Sequence, residues 1–153
     1  SDPQAVAKVA ATLLFSLGDR GLEEILTYCK GLSDEELARI LDVACNAREN
    51  RRHKSPRGLE QAEFTFEIIA DFGAYRDLQR HRILSQERQL LTCDYGFSTP
   101  PEMAGTPLEE EYVRALREAK GVYDRIAAEL PEEAQYVVPM GYHIRWYFHA
   151  NLR

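Results

Sequence analysis

No apolar run in the 153-residue sequence approaches the roughly 20 residues that a membrane-spanning helix requires, and no signal peptide is read at its start. Cysteine is scarce: Cys29, Cys45 and Cys93 are odd in number, far apart and free of any C-x-x-C pair. That excludes a disulfide framework and weakens zinc and thiol-redox readings, leaving small buried or half-buried thiols in a reducing, cytoplasmic setting. Positive charge is in the minority, with 19 Lys and Arg against 25 Asp and Glu and a net charge of −6, which disfavours nucleic acid as a partner. The G-x-S-x-G, H-E-x-x-H, P-loop and G-x-G-x-x-G patterns are all missing. The four histidines, His53, His81, His143 and His149, have no metal-ligand spacing with nearby carboxylates, so no metal is expected. No carboxylate pair stands out as an acid/base couple.

What is present suits a folded domain. Hydrophobic residues make up 44% of the chain and charged residues 29%, and six Phe, eight Tyr and one Trp are available for a core. One domain of this length buries about 70% of its unfolded surface. Asp2-Pro3 reads as a cap and first helical turn, Gly18 as the C-terminal glycine, and Val6, Val9, Ala10, Leu13, Leu14 and Leu17 as the buried face between them. A second helix carries Leu22, Ile25, Leu26 and Cys29 and ends near Gly31. Ser33-Asp34-Glu35-Glu36 is a capping box for a third, with Leu37, Ile40, Leu41, Ala44 and Cys45 on one face. Residues 63–69 alternate and are rich in aromatic and β-branched side chains, which predicts a strand. A short helix is expected over 73–81, with Tyr75, Leu78 and Gln79 turned inward. Residues 99–107 read as a loop. The longest helix follows, capped by Thr106-Pro107 and running to about Glu129, with Leu108, Tyr112, Ala115, Leu116, Ala119, Tyr123 and Ile126 as its stripe. After Pro139 and Gly141, the residues Ile144, Trp146 and Phe148 alternate with His143, Arg145, Tyr147 and His149, giving a strand with one apolar and one polar face. Helices with a few strands, not strictly alternating, indicate an α+β fold.

Three clusters can carry chemistry. The stretch 48–57 holds Arg48, Arg51, Arg52, His53, Lys54 and Arg57 against the single Glu49. It is either a solvated turn or an anion site, since guanidinium and ammonium groups bind phosphate through charge-assisted hydrogen bonds. Arg76, Arg80, His81, Arg82 and Arg88 crowd one helix end and the residues after it, with Ser85 among them. Cations suit a helix C-terminus, and these also suit a phosphate or pyrophosphate. The third cluster is the polar face of the last strand, with Asn151 and Arg153 beyond it.

Phe64-Thr65-Phe66, a helix, and then Arg80-His81-Arg82-Ile83-Leu84-Ser85 resemble the flavin-dependent thymidylate synthases, whose diagnostic motif has an "FTF" strand before a helix ending in "RHR-x-x-S". His53-Lys54-Ser55-Pro56 with Leu59-Glu60 is similar to that family's "H-x-S/T-P-x-E-H" loop, with an insertion at Arg57-Gly58. Residues 2–17 look like its first helix. Val137-Val138-Pro139 and the stretch from Trp146 to Arg153 look like its "LP" turn, aromatic strand and "N-x-R" helix start. The resemblance implies one flavin-dependent thymidylate synthase-like domain over residues 1–153, an α+β fold with a small antiparallel sheet packed with helices. It further implies that the family's first strand and C-terminal segment lie outside the sequence.

By the same resemblance the cofactor is FAD, held by His53, Arg80, His81, Arg82, Asn151 and Arg153. The reaction implied is reductive methylation of dUMP to dTMP with methylene-tetrahydrofolate and NADPH. The partner is a further copy, as in a homotetramer, or a second homologous domain. The nucleotide positions depart from the pattern: Leu90, Thr92 and Cys93 replace the motif's later Ser, Arg and Tyr, and Asp77 stands where the family has a glutamine. Gln135 and Gly141 replace an arginine and an asparagine around the "LP" turn. Losing one charged hydrogen bond costs about 1.5–3 kcal/mol, so weak dUMP binding is expected. Arg76, Ser85, Arg88 and Arg145 are the candidates to replace the lost substrate contacts. The alternative is a catalytically inactive domain that binds FAD or another dinucleotide, or that buttresses an active partner.

Overall fold

The computed structural model describes residues 4–153, so the expected Asp2-Pro3 cap lies outside the described residues. Two compact units are present: residues up to Thr65 together with His149–Arg153, and Phe66–Phe148. Three strands, β1 (Glu63–Asp71), β2 (Ser85–Arg88) and β3 (His143–Asn151), form an antiparallel sheet in the order β1-β3-β2. With five α-helices among the described residues, the fold is α+β, as the sequence pattern indicates.

In the first unit, α1 (Ala5–Phe15), α2 (Leu22–Lys30) and α3 (Asp34–Asn46) pack through Ala7, Ala10, Ala11, Cys29 and Leu37. Small alanines let the helices approach closely; Val9 and Ala10 are buried as expected, and Leu13 and Leu14 pack beside the core clusters. Val6 and Leu17 point outward, Leu17 being 80% exposed, and the helix stops at Phe15, three residues short of Gly18. Ala5 and Val9 join Ala62 in a second small cluster supported by Leu13, Leu41, Leu59 and Phe64. A 3-10 turn at Arg57–Gln61 lies against α1, where a Cβ on Gly58 would stand 3.0 Å from the Leu13 side chain. The capping box forms as expected: Ser33 Oγ accepts from the Glu36 amide at 3.3 Å, and Glu36 accepts from the Ser33 amide at 2.9 Å.

The second unit has its own core of Tyr75, Leu91, Cys93, Leu116, Val138, Tyr142, Ile144 and Trp146. Trp146 meets Tyr75 edge-on at 5.5 Å, and the buried Tyr142 hydroxyl donates to the Leu116 carbonyl at 2.8 Å. Two expectations need correction here, and one strand was not foreseen. First, α4 spans Phe72–Leu78 rather than 73–81, because Asp71 caps it by accepting from the Ala74 amide at 2.7 Å, and Gln79 is exposed. The Gln86 side chain donates to the Leu78 carbonyl at 3.0 Å, satisfying an acceptor that a longer helix would use. Second, Ser85–Arg88 is a strand, β2, which an all-polar sequence conceals. Third, along α5 (Pro107–Ala127) only Leu116 is fully buried, while Leu108 and Ala115 are exposed. Thr106 makes no side-chain cap to α5; its hydroxyl donates to the Met103 carbonyl at 2.7 Å, and Glu109 accepts from the Gly105 amide at 2.7 Å.

Candidate functional site

The expected cofactor residues fall in both units. In the first, the chain after β3 returns to the basic loop. Leu152 N donates to the Ala62 carbonyl at 3.1 Å, and the Arg153 guanidinium bonds the Ser55 carbonyl at 3.2 Å and the Glu60 carboxylate at 2.6 Å. The "N-x-R" stretch and the histidine loop are therefore brought together. Asn151 steadies the turn by accepting from the Arg153 amide at 3.0 Å. Arg57 also bonds Glu60, at 3.2 Å. That hydrogen bond, and then the one from Arg153, hold the Glu60 carboxyl below its ordinary value. His53 is exposed and folded back on its own loop, within 3.3 Å of the Glu49 amide and 3.2 Å of the Asn50 side chain.

In the second unit, Arg80, His81 and Arg82 lie on the turn between α4 and β2 and are exposed. Arg80 is paired with Asp77 at 2.6 Å. His81 and Arg82 have no side-chain partner among the described residues, and the same holds for the exposed Arg76 and Ser85. Arg88 donates to the Gln89 carbonyl at 2.9 Å. Arg145, on the central strand β3, lies over the Tyr95 ring at 5.1 Å and bonds Glu67 at 2.6 Å. Tyr95, then Glu67, raise the Arg145 pKa further above its ordinary value. The two units thus contain separate anion-binding side chains, and three of the expected arginines already hold a carboxylate of this chain.

The positions that depart from the family pattern have been absorbed into structure. Thr92 donates to Asp94 at 2.5 Å and accepts from its amide at 3.0 Å. Cys93 is buried, and desolvation pushes its thiol up to about 11. Leu90 is half exposed, and the Gln135 side chain donates to the Glu132 carbonyl at 2.9 Å. Gly141 leaves space that the Tyr112 side chain fills.

Sequence reasoning missed two histidine contacts and one cavity. In the second unit His143 sits between the Ser98 hydroxyl at 3.0 Å and the Tyr95 carbonyl at 3.2 Å, and the carbonyl, which can only accept, makes Nδ1 a donor. In the first unit His149 lies 2.9 Å from the Thr65 hydroxyl and 3.6 Å from Glu63. Both pairings join side chains distant in sequence, so only the register of the strands reveals them. An apolar cavity of about 810 Å³ lies between α1 and α3, with Leu13, Ile40, Val43 and Ala44 among its walls and Arg39 and Arg57 beside them. Ile40 and Ala44 of the expected α3 stripe line it together with the exposed Val43, and nothing in the sequence separates a cavity wall from a packed face. Among the described residues no group of three His, Cys, Asp or Glu could hold a metal ion, and no helix is long and apolar enough to cross a membrane.

The described residues combine α-helices with a small antiparallel sheet, and an Arg-His-Arg turn leads into one of its strands. The family model for thymidylate synthase complementing proteins matches residues 1–153, and the chain belongs to that family, the flavin-dependent thymidylate synthases. A UPF0159 protein of Chlamydia pneumoniae is 55% identical over 152 residues, which is 99% of this chain and 29% of that protein. A UPF0159 protein of Thermoplasma acidophilum is 37% identical over 157 residues, 99% of this chain and 31% of that one. The chain thus spans about a third of the length of these curated relatives. Among solved structures, a UMP/dUMP methylase, PolB, from Streptomyces cacaoi bound with 5-Br dUMP matches with a TM-score of 0.60 and 16% identity, covering 96% of this chain and 68% of that one. At that identity the likeness is one of fold.

Proposed function

We propose that residues 1–153 form the flavin-binding domain of a thymidylate synthase-like protein, addressing FAD through His53, Arg80, His81, Arg82, Asn151 and Arg153. One contrast carries this reading. His81 and Arg82 stay exposed with no side-chain partner among the described residues, while the dUMP positions Thr92 and Cys93 are engaged with Asp94 and the core. These residues fit the cofactor chemically. Arg82, and Arg80 once it leaves Asp77, bind a pyrophosphate with charge-assisted hydrogen bonds, and the His81 ring offers a planar polar surface. In a catalytically active member, bound FAD would supply the hydride transfer of a reductive methylation of dUMP that draws its carbon from methylene-tetrahydrofolate and its reducing power from NADPH. Arg76, Ser85, Arg88 and Arg145 are the side chains left to receive the nucleotide. A further copy of the domain, as in a homotetramer, or a second homologous domain completes the site, and the setting is cytoplasmic.

Arg80→Ala and Arg82→Ala each weaken FAD binding on this reading, and unchanged flavin retention in both variants refutes it. With FAD present, calorimetry with dUMP gives weak binding or none. A second reading, a working dUMP methylase, is favoured by the fold shared with the solved UMP/dUMP methylase. A micromolar dissociation constant for dUMP selects it over the first.

A further inference from the structure

We infer that Glu67 is an internal stand-in for a ligand anion: its carboxylate occupies Arg145, and a phosphate reaches that guanidinium only by displacing it. The inference rests on the reading of Arg145 as a nucleotide-site cation. Arg145 is held in place from three directions. Its backbone belongs to the central strand β3, its carbonyl accepts from the Gln89 amide at 3.1 Å, and its guanidinium lies over the Tyr95 ring at 5.1 Å. Tyr95 is itself tied down, its hydroxyl bonded to Gln89 at 3.1 Å and its carbonyl to His143 at 3.2 Å. A guanidinium fixed in this way is prepared for an anion before any ligand arrives.

The anion it meets belongs to the chain. Glu67 Oε1 accepts from Arg145 Nη1 at 2.6 Å, reaching across from β1. The Arg145 side chain is about one third exposed and that of Glu67 about two thirds exposed, at 34% and 62%. The carboxylate therefore lies on the solvent side, where it can swing away without unpacking the core. Arg145 Nε is buried and has no hydrogen-bond partner among the described residues, and Nη1 is the nitrogen that Glu67 holds. Asp77 repeats the arrangement on Arg80 at 2.6 Å in the same unit. Two of the candidate anion-binding cations in this unit are thus neutralised by carboxylates of the chain.

The chemical consequence is selection against doubly charged phosphate. A phosphomonoester must break the Glu67–Arg145 pair and then tolerate the released carboxylate nearby, and like charges at close range oppose binding. A ligand with a single, delocalised negative charge or none meets less resistance. Exposed ion pairs have modest couplings, so the expected effect of removing the carboxylate is about three- to tenfold in phosphate affinity.

The test is a titration of the 15N-labelled chain with inorganic phosphate, following the arginine Nε–Hε NMR signals in wild type, Glu67→Gln, Glu67→Ala and the Glu67→Gln/Arg145→Gln pair. Thermal melts of each variant establish that it is folded. Both Glu67 variants are expected to bind phosphate at least threefold more tightly than wild type, with the gain abolished in the double variant and reduced by added salt. A gain below threefold in both single variants, or a gain that survives loss of Arg145, overturns the inference. Failure of the flavin reading shows separately, as a chain that retains no FAD whatever the phosphate affinities.

Discussion

Gly141 stands where the family pattern has an asparagine, and the structure shows why restoring a side chain there is costly. A Cβ at this position lies inside contact distance of the Tyr112 hydroxyl, 3.4 Å from Tyr112 Cζ and 3.5 Å from Leu116 Cδ1. Gly141 is not among the positive-φ glycines, so the obstacle is packing rather than backbone conformation. Tyr112 has little freedom to retreat, since its ring meets Phe97 edge-on at 6.2 Å and Leu116 beside it is buried. Overpacking of this kind costs about 1–3 kcal/mol. For a chain near 150 residues that lowers Tm by roughly 2–4 °C per kcal/mol. Gly141→Ala should therefore melt several degrees below wild type. Tyr112→Phe deletes the clashing oxygen and gives up only a long hydrogen bond to the Ser98 carbonyl, 3.4 Å. The Gly141→Ala/Tyr112→Phe pair should recover most of the loss, which denaturant melts of the four proteins read as a coupling energy. A Gly141→Ala protein as stable as wild type, or a pair no better than Gly141→Ala alone, refutes the packing account.

Two further expectations concern protons. The Cys93 thiol is raised by burial from 9.0 to about 11, so its neutral form is favoured in the fold. Its contribution to stability is complete below pH 9.0 and is lost as pH rises through about 11, and a Cys93→Ser variant should show a different alkaline limb in pH-dependent melts. The same burial should leave Cys29 and Cys93 unreactive toward a thiol reagent at pH 8 while the half-buried Cys45 reacts; equal rates at all three would contradict it. The Asp94 carboxyl is held below 3.8, first by its hydrogen bond with Thr92 and then by Lys120. That stabilisation is present above pH 3.8 and disappears as pH falls through the lower folded value, so acid titration of Asp94→Asn should give a flatter stability profile there than wild type.

Much of the fold was legible because the signals were local. The Ser33–Glu36 box, the alternation of residues 63–69 and that of 143–149 each mark an element whose neighbours in sequence are also its neighbours in structure. The errors arose where tertiary contacts decide. α1 buries Ala7 and Ala11 beside the expected Val9 and Ala10 because closely packed helices favour small side chains over Val6, and Leu17 lies beyond its end. β2 exists because it pairs with β3, a relation that no alternation in Ser-Gln-Glu-Arg announces. The arginines of the candidate site could be named from a family pattern, but not their partners. That Arg145 meets Glu67, and Arg153 meets Glu60, depends on pairs 78 and 93 residues apart.

The central claim is that this chain binds FAD, and the most direct measurement is size-exclusion chromatography of the purified protein titrated with FAD, with visible absorbance recorded across the peak. Flavin absorbance that co-migrates with the protein, saturates, and falls in Arg80→Ala and Arg82→Ala is the predicted result. A colourless protein peak at every FAD concentration would contradict it.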